Sequence, residues 1–183
     1  MKIEVTNIRK SEDEFDGKVT IIINDSIVIE NISVYNNVVG KLTVSFPVIK
    51  GKGKNTSIFV FKSREIENEI KDKIIDAYNG KKISEGISEE MHVTDVSIMV
   101  FKGTKTKGIA SVTLNDFLEI RLIDFKQKEK TDSLEHNVYE IYMHTYNGKE
   151  NTVRKTIYSI NSNLTKEIIE SIYKKYKKEI EEK

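Results

Sequence analysis

The chain nearly repeats itself, and no other feature constrains its fold as much. Thr20-Ile21-Ile22-Ile23-Asn24-Asp25 returns as Ser111-Val112-Thr113-Leu114-Asn115-Asp116. Before it, Ile3-Glu4-Val5-Thr6-Asn7-Ile8 is echoed by Met91-His92-Val93-Thr94-Asp95-Val96. After it, Ile32-Ser33-Val34-Tyr35 is answered by Ile120-Arg121-Leu122-Ile123. Three matches in one order, at nearly one spacing, define a recurring structural unit. Two related modules are therefore expected, residues 1–82 and 91–183, joined by the polar, glycine-containing linker 83–90.

Within each unit the hydrophobic period changes once. Val19–Ile23, Ile27–Tyr35 and Lys41–Phe46 are short β-branched runs between turn residues, and Gly108–Leu114, Phe117–Phe125 and Val138–Tyr146 play the same parts later. Asn147-Gly148 reads as a hairpin turn, because both residues tolerate positive φ. The period then becomes helical: Ile66, Ile70, Ile74 and Tyr78 share one face, as do Ile168, Ile172, Tyr176 and Ile180. Ser63 is the expected N-cap of the first helix, and Asn161, Ser162 or Asn163 that of the second. Asn79-Gly80 closes the first helix. The fold class is α+β, two tandem copies of a small antiparallel β-sheet module, each followed by a C-terminal α-helix.

Charge and side-chain chemistry narrow the function. Thirty Lys and Arg against 29 Asp and Glu leave a net charge of +1, so any site for a polyanion must be a local patch. The absence of cysteine removes disulfides, thiolate ligands and thiol nucleophiles, and it fits a reducing compartment. The opening MKIEVTNIRKSEDEF has no apolar signal core, and no apolar run nears the ~18 residues of a membrane span, so a cytoplasmic protein is expected. His92, His136 and His144 do not stand at metal-ligand spacing, and no Gly-x-Ser-x-Gly elbow is present. A binding protein without catalysis, metal or cofactor is expected.

Val93-Thr94-Asp95-Val96, Gly108-Ile109-Ala110-Ser111-Val112-Thr113-Leu114-Asn115 and Ile120-Arg121-Leu122-Ile123-Asp124 form an ordered set in the second copy. The first copy adds Asn31-Ile32-Ser33-Val34, Gly40-Lys41-Leu42-Thr43-Val44 and Phe46-Pro47. Val153-Arg154 and Ile160-Asn161-Ser162 follow late in the chain. This set resembles the SpoVG family (stage V sporulation protein G), regulators linked to sporulation, septation and cell division. The resemblance implies a small sheet with a C-terminal helix, homodimerisation by strand pairing, and DNA or RNA binding. A fused pair of modules would then form an internal pseudo-dimer, with a further homo-oligomer left open and no membrane partner.

Phosphate neutralisation supplies most nucleic-acid affinity, so basic residues should carry it. Lys50, Lys52 and Lys54 lie in a glycine-spaced loop of the first copy, and Arg154, at a basic position of the family, supplies with Lys155 a second contact from the second copy. The loop reads either as a solvated hairpin tip or as a phosphate-contacting element. Other basic positions of the family are replaced here by Asn55, Glu67 and Thr165. Gly51-Lys52-Gly53-Lys54-Asn55-Thr56 lacks P-loop spacing. Lys102, Lys105 and Lys107 read as a solvated turn. Tyr139, Tyr142, Tyr146 and Tyr158 read as a half-buried sheet face rather than a base-stacking platform. The competing class is a protein–protein or structural module whose nucleic-acid site has drifted away.

Overall fold

A computed structural model describes residues 1–11, 16–50, 53, 55–127, 139–143, 145–147 and 153–182, with the backbone alone at 50, 145–147 and 153–155. The first half runs β1 (Ile3–Lys10), β2 (Asp16–Ile23), β3 (Ile27–Asn36), β4 (Leu42–Ser45), β5 (Val48–Lys50), β6 (Asn55–Ser57), β7 (Phe59–Phe61) and α1 (Arg64–Tyr78). The second half repeats the order: β8 (Val93–Val100), β9 (Thr106–Leu114), β10 (Leu118–Gln127), β11 (Tyr139–Tyr142), β12 (Thr145–Asn147), β13 (Val153–Lys155), β14 (Ile157–Ser159) and α2 (Ser162–Glu181). The protein is α+β, with antiparallel sheets and two helices.

The repeated Asn-Asp pair makes the two central hairpins. Asn24 and Asp25 have φ of 47° and 51°, and Asn115 and Asp116 have 44° and 56°. Two successive left-handed residues give the tight turn whose twist suits antiparallel strands. Each asparagine also fixes the preceding strand. Asn24 Oδ1 accepts from the Lys2 amide at 2.7 Å, and Asn115 Oδ1 accepts from the His92 amide at 2.6 Å. By this bonding Lys2 corresponds to His92, so Ile3 corresponds to Val93 and not to Met91.

Each five-stranded sheet is completed by a strand from the other half. One sheet has the order β1-β2-β3-β14 with β4 also on β3; the other has β11-β10-β9-β8 with β7 on β10. Ile157 pairs with Ile29 and Ser159 with Ile27, while Phe59 pairs with Ile120 and Phe61 with Leu118. Next to the exchanged strands both receiving strands carry a bulge. Asn31 (φ 62°) and Leu122 (φ 58°) sit in it, and the amides of Glu30 and Arg121 each donate 2.8 Å bonds across to Thr156 O and Ile58 O. Because both strands carry the same bulge, Ile29 corresponds to Ile120 and Ile32 to Ile123; the sequence match of Ile32 with Ile120 is three residues out of register.

The helices lie against their own halves, α1 on β1 and β4, α2 mainly on β8. Ser63 Oγ accepts from the Ile66 amide, and Asn161 Oδ1 accepts from the amides of Asn163 and Leu164, capping both helices. Ile70, Ile74, Tyr78, Leu164, Ile168 and Ile172 are buried, whereas Ile180 on the last turn is 43% exposed. One hydrophobic cluster runs through both halves. The linker follows the start of β1, where Glu85 O accepts from the Ile3 amide and the Met1 amino group pairs with Glu89. The expected strand Val138–Tyr146 is described as β11 and β12, with residues 138 and 144 outside the described set. Gly148 of the expected turn also lies outside it. Among the described residues no helix is long and apolar enough to cross a membrane.

Candidate nucleic-acid interface

Pro47 follows β4 and brings no backbone N–H, so the chain leaves the sheet there and folds into a separate ribbon, β5 on β6. In the second half β12 pairs with β13 at the same place in the order. Each ribbon occupies the connection that carries the chain from one sheet to the other. Lys50 ends β5 opposite Asn55; Arg154 and Lys155 lie on β13 opposite Tyr146 and Thr145. Lys50 and the Arg154–Lys155 pair thus lie on separate ribbons at the same place in the order of each half. Lys52 and Lys54 lie outside the described residues, as do the side chains of Lys50, Arg154 and Lys155.

A third basic group emerges from strand pairing. Arg9 stands opposite Lys18 in the β1–β2 register, with Lys10 beside it. They border two adjoining cavities of about 460 and 530 Å³, rimmed also by Asp16 and Glu30. Like charges directly across a pair repel unless something else satisfies them. Among the described residues none of the three has a carboxylate partner: Lys18 Nζ donates to Ser33 Oγ at 2.6 Å, and Lys10 Nζ lies 5.1 Å from the Tyr78 ring centre. Gly17 permits this close packing, because a Cβ there would come within 2.6 Å of Arg9 O and 2.7 Å of the Tyr78 ring. The sequence hid the cluster because Glu12-Asp13-Glu14 intervenes and cancels the local charge.

Much of the remaining basic charge is already paired. Lys2 meets Asp25, Lys71 meets Glu67, Lys81 meets Asp76 and Lys126 meets Asp124. Glu119 takes two bonds from Arg121, at 2.9 and 3.1 Å, and lies 3.2 Å from Lys62; this holds its carboxyl below the usual range. Lys102 to Lys107 border an exposed turn as expected, Lys107 itself being half-buried.

The tyrosines are engaged in the fold. Tyr139 stacks on Phe125 with ring centres 4.8 Å apart, and Tyr142 donates to Glu140. Tyr158 donates to Glu30 Oε1 at 2.8 Å; burial first, and then this bond to a carboxylate, push its phenol up to about 12. The Tyr146 side chain lies outside the described residues. His92 sits between Glu90 and Glu167, at 3.7 and 3.5 Å. No cluster of three or more metal-ligating side chains occurs among the described residues, and His136 and His144 fall outside them. No family model, curated protein or solved structure matches the chain.

Proposed function

We propose that the protein is a SpoVG-like, non-enzymatic regulator that binds DNA or RNA in the cytoplasm, and that its two halves arose by duplication. The observation that carries this reading is that Lys50, Arg154 and Lys155 lie on two-stranded ribbons that stand at the same place in the order of each half. A two-stranded ribbon is a shape that the major groove of duplex DNA admits. Lys50 on one ribbon, its sequence neighbours Lys52 and Lys54, and Arg154 and Lys155 on the other ribbon contact phosphates. Glycines between the lysines let backbone amides approach as well. The resemblance to the family supports the same assignment.

Fluorescence anisotropy of labelled DNA and RNA at ~50 and ~200 mM salt tests it. Replacing Lys50, Lys52 and Lys54 together by alanine is expected to flatten the slope of log affinity against log salt on duplex DNA by roughly two to three units. If the unaltered protein binds neither nucleic acid at ~50 mM salt, the regulator reading fails. The extensive pairing of surface lysines with carboxylates favours the second reading, a protein–protein module, in that outcome.

A further inference from the structure

The two halves put their aromatic side chains in different places, and the difference leaves a cavity. In the first half Phe46, Phe59 and Phe61 pack edge to face, with ring centres 5.4, 5.4 and 5.5 Å apart. Strand register identifies their counterparts. Val34 pairs with Val44 and Phe125 with Ile141, so Phe46, two residues past Val44, corresponds to Met143. Ile29 pairs with Ile157 where Ile120 pairs with Phe59, and Ile27 pairs with Ser159 where Leu118 pairs with Phe61. The three rings of one half are therefore Met143, Ile157 and Ser159 in the other. Ile157 is fully buried behind the others, and Met143 and Ser159, with Ile141, Tyr142, Tyr158 and Thr165, line a cavity of about 270 Å³.

We propose that this cavity binds a small, uncharged, planar aromatic molecule of one or two rings. Met143 and Ser159 stand where the first half places the rings of Phe46 and Phe61, so part of the shape it accepts is displayed within the same chain. An apolar cavity of roughly 150 Å³ already takes up one benzene ring, which leaves room here for a fused pair. Ile141 offers an aliphatic wall, and the Met143 thioether makes favourable contacts with ring edges. The Thr165 hydroxyl donates to Asn161 O at 3.0 Å and keeps lone pairs for a ring N–H. No ionised side chain is among the described lining residues, which disfavours a charged ligand. The walls cannot simply close together. β11 is held by β10 in one sheet and β14 by β3 in the other, so strand pairing keeps them apart.

Indole is the probe, and the methionine methyl groups of the full chain are the reporters. The protein has four methionines, Met1, Met91, Met99 and Met143, of which Met99 is 68% exposed. With ¹³C-methyl labelling, indole is expected to produce a saturable ring-current shift at Met143 and none at Met99. Ser159→Phe restores one ring of the filled arrangement and is expected to abolish the Met143 shift while the fold is retained. Should that variant fail to fold, Met143→Phe, read by calorimetry, is expected to lose the heat of indole binding. The absence of a saturable Met143 shift overturns the proposal, as does an equal shift at Met99 or undiminished binding in a folded variant with the added ring.

Discussion

Tyr158 and Glu30 meet across the join between the halves, so their hydrogen bond measures how firmly β14 is held. Tyr158→Phe removes a bond to a charged acceptor and is expected to lower unfolding free energy by about 1.5 kcal/mol in urea denaturation. The phenol titrates near 10 when unfolded and at about 12 in the fold. Its contribution is therefore fully present below pH 10 and is lost as pH rises toward 12, and the variant should lack that extra alkaline loss. The bulge gives a second expectation at this scale. Asn31→Leu places a branched side chain at φ 62° and should cost about 1–2 kcal/mol by the same denaturation. Asn24-Asp25, Ser63 and Asn161 were legible as turn and cap residues because their side chains suit those backbone states. Leu122 at φ 58° was not, since no sequence rule puts a leucine there.

Three-residue strands such as β7 and β14 have too few hydrogen bonds to stand alone, and they persist because Ile157, Phe59 and Phe61 are buried in the receiving sheets. Ile157→Ala is expected to destabilise the protein by about 2–5 kcal/mol. Because a single core joins the halves, amide exchange should rise in β2 and β3, far from position 157 in sequence, as well as in α2. The extended character of Ile157-Tyr158-Ser159 is visible in the sequence, but its partner is not. Hydrophobic period reports which face a residue takes and not which strand lies beside it. The same limit governed the candidate site. Lys50, Lys52 and Lys54 stand close together in the sequence itself, whereas Arg9 and Lys18 became neighbours only through the β1–β2 register.

At the scale of the whole molecule, residues 1–84 alone would have a β3 without β14 and a β7 without β10. Two copies can satisfy each other by the exchange seen within the full chain. Light scattering should find that fragment self-associated or poorly folded, and a stable monodisperse monomer would contradict the expectation. The exchange also sets a schedule for the ribosome. Tyr158 is made 128 residues after Glu30, a wait of roughly 6–25 s at ordinary elongation rates. For that interval Ile27–Ile29 emerges as an open, apolar strand edge, and until Leu118–Ile120 is made Phe59–Phe61 of the same nascent chain also lacks its own acceptor. On a densely loaded message, the neighbouring nascent chain offers both missing partners first. The fraction of correctly closed chains is therefore expected to fall as initiation becomes more frequent, with entangled pairs formed in its place.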